Sequence, residues 1–276
     1  MVPIAELSAD AARRIDFVLT DIDDTITTGG KLPAAAYRAL WDLHDAGINV
    51  IPVTGRPAGW CDLISRQWPV AAVIGENGAC AFLMDGEHQV IVRHPMAPEP
   101  GASRERLERI AAEAYRAVPG CRAAKDQFSR VYDIAVDFRE EPPMLGYDDA
   151  DRIREVFQAA GAHAKVSSIH VNAWFGDYDK RSMATHLLRE RFGLDIDDHR
   201  ANERVLYCGD SPNDEPMFER FAVSVGVANI VDFASVLRSL PAFVTRGRSA
   251  DGFCEAVDHL LALRRKNGSN GLDDPL

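Results

Sequence analysis

What the sequence has little of narrows the field first. Its five cysteines, Cys61, Cys80, Cys121, Cys208 and Cys254, are odd in number, scattered, and without a C-x-x-C pair in a chain of 276 residues. That excludes a disulfide scaffold and a cysteine-ligated zinc site, and it points to reduced thiols in a cytoplasmic protein. Each reads first as a small buried hydrophobe; Cys208 stands out because it adjoins a motif. Long apolar runs are missing too. Stretches such as Val70 to Ile74 are strand-sized, far below the roughly 20 residues a helix needs to cross a bilayer. Met1 to Asp16 carries Glu6, Asp10 and Asp16 and lacks the apolar centre of a secretory signal. Positive charge is in deficit, with 31 Lys+Arg against 42 Asp+Glu and a formal charge of -11. Such a field repels nucleic acid, so neither nucleic acid nor membrane is expected as a partner. No G-x-G-x-x-G follows the first apolar run, which argues against a generic dinucleotide-binding oxidoreductase. There is no internal repeat.

What is present is ordinary globular material, 46% hydrophobic and 26% charged, in a length that fits two domains. Phe17 to Thr20, Ile48 to Val53, Val70 to Ile74, Val205 to Cys208, Ala222 to Val227 and Ala242 to Thr245 are continuously apolar, as strands buried on both faces of a parallel sheet are. Helical patterns lie between them: Pro33 to Ala46 with Gly47 beyond its end, Lys180 to Phe192 with Gly193 beyond, and Asn213 to Phe221. The middle differs. Helices over Ser103 to Val118 and Tyr147 to Ala160 accompany a strand-like Arg130 to Phe138. An alternating segment, Ala164 to Phe175, fits a sheet with one wet face carrying Ser168, His170 and Asn172. The expected fold class is therefore α/β, a doubly wound, mainly parallel Rossmann-like sheet with an inserted α+β cap. The core is expected over 1–93 and 175–265, the cap over 94–174, and a disordered tail over 266–276.

Several polar groups stand where strands end, the place at which open α/β sheets bind ligands. Phe17 to Thr20 runs into Asp21-Ile22-Asp23-Asp24-Thr25. A D-x-D-x-T match arises by chance in roughly one chain of this length in twenty. Alone it fits equally a solvated acidic turn with Thr25 as a helix cap. Gly209-Asp210-Ser211-Pro212-Asn213-Asp214 is more specific, arising in about one chain in several hundred; Asn213 there is a helix cap, a site residue, or both. Thr54-Gly55-Arg56 closes another strand. Lys180 opens a helix, where a cation opposes the macrodipole and calls for an anion, either Asp177, Asp179 or a ligand. Gathering Asp21, Asp23, Asp210 and Asp214 in one crevice costs several kcal/mol of repulsion unless protons or cations neutralise it. Mg²⁺ suits such oxygen ligands and takes one or two carboxylates, here Asp21 and Asp210.

The ordered set Asp21/Asp23, Thr54, Lys180 and Asp210/Asp214 resembles the four motifs of the haloacid dehalogenase-like (HAD) hydrolase superfamily, over nearly the whole chain. The insert between the second and third motifs is similar to the cap of the Cof-type and sugar-phosphatase branch, as is Asn77-Gly78-Ala79. The resemblance implies a Mg²⁺-dependent phosphomonoesterase in which Asp21 is the nucleophile and Asp23 the general acid and base. It further implies that Thr54 and Lys180 hold the phosphoryl oxygens, and that Asp21, Asp210 and the backbone carbonyl of Asp23 hold the metal. Gly55, Asn213 and Asp214 would support the phosphate, with Asp214 holding Lys180 or a metal-bound water. Position 24 is Asp where many members have Gly or Ser, and is read as a solvated side chain. The implied substrate is a small phosphorylated metabolite, a sugar or polyol phosphate. Arg56, Asn77, Arg130 and Asn172 are its candidate readers, Arg56 reading first as a brace for its loop or a partner for a carboxylate. Two other readings stand, a phosphohexomutase of the phosphomannomutase kind and a non-catalytic module that binds Mg²⁺ or a phosphometabolite. Monomer and dimer are both open.

Overall fold

Continuous apolarity decides how the largest sheet is built. In a computed structural model that describes residues 1–265, the strands in chain order are β1 (Val2–Pro3), β2 (Phe17–Thr20), β3 (Asn49–Pro52), β4 (Val73–Gly75), β5 (Cys80–Asp85), β6 (His88–Arg93) and β7 (Arg122–Ala123). They continue as β8 (Asp133–Asp137), β9 (His163–Val166), β10 (His170–Trp174), β11 (Val205–Gly209), β12 (Val223–Gly226) and β13 (Phe243–Val244). The expected tail, 266–276, lies outside the described residues. The chain divides into two compact units, Met1–Pro52 with Leu194–Asp210 and Asp214–Leu276, and Val53–Gly193 with Ser211–Asn213.

The first unit is built on a sheet ordered β1-β13-β12-β11-β2-β3 in which every pairing is parallel. β2 and β11 are buried along their whole length, as central strands covered on both faces must be. The helix Ala34–Asp45 buries Ala36, Ala39, Leu40 and Leu43, one face of a 3.6-residue repeat, and packs against the helix Ser249–Arg265.

The second unit contains an antiparallel sheet ordered β7-β8-β10-β9. The helices Arg104–Ala117 and Tyr147–Ala159 supply Leu107, Ile110, Ile153 and Phe157 to a core shared with Ile134, Val136, Phe138 and Val171 of the insert. Each such side chain contributes about 1.5–3 kcal/mol by leaving water. The same unit holds the antiparallel sheet β4-β5-β6, against which the helix Ala58–Gln67 packs.

Some expectations change. The run Val70 to Ile74 yields the short β4, which keeps one parallel bridge, Ile74 to Val53, but pairs continuously and antiparallel with β5. Ala164 to Phe175 is two strands, β9 and β10, reversed over Ser167–Ile169, where Ser167 N–H donates to the His170 carbonyl at 2.8 Å. β10 has no wet face. Val171 and Ala173 enter the cap core, while His170, Asn172 and Trp174 are 3%, 3% and 2% exposed. Alternation reports two chemically different faces; it does not report whether water covers the polar one. The two compact units meet along the chain at 52/53 and 193/194. Within the second unit the physical tie is Glu76, whose carboxylate accepts N–H bonds from Ala58 and from Val131, Tyr132 and Asp133 of the insert.

Candidate functional site

Parallel pairing sets Thr20 of β2 opposite Cys208 of β11, so Asp21 and Asp210 leave the ends of neighbouring strands. Asp21 N–H donates to the Cys208 carbonyl at 2.9 Å, which carries the pairing one residue past β2. Asp21, Asp210 and Asp214 are 4%, 2% and 0% exposed, and each offers an oxygen within 4.8 Å of the others. Asp214 is held on both sides: the Tyr207 hydroxyl donates to Oδ1 at 2.5 Å, and the Asp210 N–H donates to Oδ2 at 3.0 Å. Burial and the Asp214 charge push the Tyr207 phenol well up, so its proton stays available to donate. A Cβ on residue 209 would lie 2.5 Å from Asp214 Oδ2, which is why the motif has glycine there. The Thr25 hydroxyl donates to Asp210 Oδ1 at 3.4 Å.

Three buried carboxylates so close repel one another unless a proton or a cation sits among them, and their hard oxygen donors suit a divalent ion such as Mg²⁺. The residues present therefore fit the metal that the motifs imply. Asp23, half-buried on the following turn, is not one of the three clustered side chains. Asp24 adopts φ +56°, a left-handed conformation open chiefly to Gly, Asn and Asp. Its amide donates to Thr27 Oγ1 at 3.1 Å and its carbonyl accepts from Asn229 Nδ2 at 2.9 Å. Position 24 is thus a backbone requirement. Cys208 is buried, and its thiol is pushed up by that burial and then by the Asp214, Asp210 and Asp21 charges, so it is a core residue and not a second nucleophile.

In the second unit, Thr54 is fully buried and its backbone is pinned twice. Its N–H donates to Ile74 at 2.9 Å, and its carbonyl accepts the Asn77 N–H at 3.1 Å. Thr54 Oγ1 accepts the Arg56 N–H at 3.0 Å. Lys180 is buried at the first position of the helix Lys180–Phe192. Asp179 caps that helix, its Oδ1 accepting from Ser182 N at 2.7 Å while its own N–H donates to Ser182 Oγ at 2.9 Å. Asn213 accepts the Ser211 hydroxyl at 2.9 Å, and Asp214, not Asn213, takes the N-cap position of the helix Glu215–Arg220.

The four candidate substrate readers come together in a buried network. Arg130, its side chain 0% exposed, pairs with Asp133 at 2.9 Å and Asp126 at 3.2 Å and donates to the Gly55 carbonyl at 2.8 Å. Asn172 Nδ2 and Asn77 Nδ2 donate to Asp133 Oδ2 at 3.0 and 3.3 Å. Arg56 lies over the Trp60 ring, 4.4 Å from its centroid, and pairs with Glu140 at 3.1 Å and Asp126 at 3.3 Å. Glu140 in turn meets His170 Nε2 at 2.9 Å. Sequence reasoning missed Glu76, Asp126, Asp133, Glu140 and Tyr207. Their signal was only their residue type, since their partners are brought in by the fold.

The His170 hydrogen bond, then its charge and that of Arg56, pull the Glu140 carboxyl down to about 2 against burial. A depressed carboxyl stabilises the fold above its unfolded value near 4.5 and loses that contribution as pH falls toward 2. Glu140→Gln is expected to lower the urea midpoint at pH 7, modestly because the side chain is 33% exposed and partly screened. Urea titrations of the two proteins should converge as pH falls through that window; a constant gap would contradict the assignment.

The comparisons with known proteins agree with the motif order. Residues 18–103 match the haloacid dehalogenase-like hydrolase family, and residues 177–260 match the Sucrose-6F-phosphate phosphohydrolase family. A curated phosphoglycolate phosphatase of Methanobrevibacter smithii is 26% identical over 250 residues, spanning 90% of this chain and 99% of that protein. The C-terminal domain of C. albicans trehalose-6-phosphate phosphatase matches in fold at a TM-score of 0.69 and 14% identity, over 96% of this chain and 98% of that one. Sucrose-phosphatase from Synechocystis matches at 0.58 and 16%, over 90% and 98%. With its carboxylates at the ends of paired parallel strands and both stretches matched, this chain is similar to the haloacid dehalogenase-like hydrolases, and the matches support a phosphatase.

Proposed function

We propose that the protein is a Mg²⁺-dependent phosphomonoesterase that hydrolyses a small sugar or polyol phosphate through an aspartyl-phosphate. The observation that carries the reading is the buried group of Asp21, Asp210 and Asp214. Asp21 attacks phosphorus as the ester P–O bond breaks, and Asp23 gives its proton to the departing alkoxide. Water then attacks the aspartyl-phosphate, Asp23 takes the water's proton, and inorganic phosphate leaves with Asp21 restored. Thr54 and Lys180 supply a hydrogen bond and a charge to the non-bridging oxygens. Asp214, with both oxygens already accepting hydrogen bonds, holds Asp210 in place. The Asp21 and Asp210 side chains and the Asp23 carbonyl would hold Mg²⁺, which would supply positive charge to offset that developing on the phosphoryl group.

The polar groups of the insert favour hydroxyls over a second anion. Arg56, Arg122 and Arg130 are already matched with Asp126, Asp133, Asp137 and Glu140. A carboxylate on the substrate would have to displace those pairs, whereas sugar hydroxyls can donate to them. Phosphoglycolate, named for the Methanobrevibacter relative, is therefore the comparison arm of the test. Phosphate release is measured from sugar, polyol and nucleoside monophosphates and from 2-phosphoglycolate, with Mg²⁺ and with EDTA. Metal-dependent release with sugar or polyol esters ranked first is expected. A first rank for 2-phosphoglycolate would overturn the substrate class. No release from any ester would overturn hydrolysis, and turnover restored by a hexose bisphosphate would assign the mutase reaction instead.

A further inference from the structure

We propose that Asp133 is a positioning residue for Thr54, acting through the peptide plane between Gly55 and Arg56; this rests on the phosphatase reading. The Asp133 carboxylate accepts from the side chains of Arg130, Asn77 and Asn172. What it does is aim two donors at one carbonyl. Arg130 Nη1 lies 2.9 Å from Asp133 Oδ1 and 2.8 Å from the Gly55 oxygen. Asn172 Nδ2 lies 3.0 Å from Asp133 Oδ2 and 3.4 Å from the same Gly55 oxygen. Each of these nitrogens carries two hydrogens, so one can serve the carboxylate while the other serves the carbonyl. Without the Asp133 carboxylate, Asn172 loses the acceptor that aims it, and Arg130 keeps its Asp126 pair but loses the acceptor beside the Gly55 carbonyl.

The Gly55 carbonyl and the Arg56 N–H belong to one planar peptide unit, so fixing one end fixes the other. The far end is the Arg56 N–H, which donates to Thr54 Oγ1 at 3.0 Å. A hydroxyl that accepts an N–H on one side keeps its own hydrogen for another acceptor. In the phosphatase reading that acceptor is a phosphoryl oxygen. The loop has little slack: a Cβ at position 55 would lie 3.2 Å from Asn77 Oδ1 and 3.3 Å from Asn172 Oδ1, so glycine lets the two amides close on the peptide. The chain of contact runs from Asp133 through Arg130 and Asn172 to Gly55, across the peptide to Arg56, and onto the Thr54 hydroxyl.

The test is a double-mutant cycle on phosphate release, with kcat and KM resolved. Asp133→Asn turns one acceptor into a donor facing donors and is expected to lower kcat roughly 10- to 100-fold with KM changed less than about threefold, the scale of a misplaced catalytic group. In a Thr54→Ala background the same substitution should cost less than about twofold, because the hydroxyl it orients is gone. In a Thr54→Ser background, which keeps the hydroxyl, the loss should return. Losses that simply multiply in the alanine background would sink the proposal, since a general structural role is additive. Should Asp133→Asn not fold, Asn172→Ala removes one of the two donors and carries the same cycle. A wild-type protein that releases no phosphate overturns the parent reading and this one with it. An active wild type with multiplying losses overturns the positioning role alone.

Discussion

Asp21→Asn is expected to lower phosphate release by about 10⁴-fold or more, the scale on which enzymes lose their attacking group. The substitution keeps shape and removes the nucleophilic oxygen, so substrate analogues should still protect the variant from unfolding in the presence of Mg²⁺. It also has an effect that does not depend on turnover. Asp21 is one of three buried carboxylates with oxygens within 4.8 Å of one another, and without a divalent ion each carries the repulsion of the other two. Neutralising one relieves it. In EDTA, Asp21→Asn should therefore melt at or above the wild-type temperature, and excess Mg²⁺ should stabilise the wild type more than the variant. Activity within tenfold of wild type would remove Asp21 as the nucleophile, whereas a lower melting temperature in EDTA would count against the close carboxylate cluster.

The largest loss of stability is expected at a residue that does no chemistry. Glu76 Oε1 accepts from Ala58 N at 2.9 Å and Val131 N at 2.8 Å, and Oε2 accepts from Tyr132 N at 2.6 Å and Asp133 N at 2.9 Å. Glu76→Ala strands four buried amides at about 1–3 kcal/mol each, so a loss of at least about 4 kcal/mol is expected from urea unfolding. That is a large share of the roughly 5–15 kcal/mol by which domains are stable. Glu76→Gln should lose less, since one oxygen keeps its two amides while the new NH₂ faces the other two. Burial, then the Asp133 charge, push the Glu76 carboxyl up to about 7 despite those donors. A raised carboxyl contributes most below its unfolded value near 4.5, and its contribution declines as pH rises through about 7. Glu76→Gln should flatten that part of the stability profile. A loss under 1 kcal/mol in Glu76→Ala would show that the four amides find other partners.

The contrast between these residues explains what could be read from the chain alone. Asp21 and Asp210 are legible because each directly follows a continuously apolar strand, and both the strand and the polar group at its end are local features. Parallel pairing and register then bring them together with little further information. Asp214 is legible for the same reason, four residues from Asp210. Glu76 and Asp133 are not, because most of their partners lie 55 to 57 and 39 to 56 positions away. Arg130 shows what residue type alone leaves out. Its residue type announces an anion reader, yet the anions it reads are Asp126 and Asp133 of its own chain. The misread wet face of β10 has the same origin, since a polar face covered by other polar groups has the alternation of one covered by water. Likewise β5 and β6, a hairpin turning at Gly86, have the signature of neither a doubly buried parallel strand nor a helix.

Asn77 and Gly78 carry a further consequence, for chemical ageing. An asparagine followed by glycine is vulnerable because the unhindered glycine nitrogen can reach the asparagine side-chain carbon and close a five-membered imide, which opens to aspartate or isoaspartate. In this fold Asn77 is 4% exposed, its side-chain nitrogen is engaged with Asp133, and its backbone sits at φ +55°. Gly78 is held at φ +105° with the Asp179 carbonyl 2.1 Å from where a Cβ would be. Ring closure needs rotation at both residues, and the fold denies it. Were it to occur, the product would set a new negative charge against Asp133 in a buried site, so the native packing protects the bond whose breakdown it could least tolerate.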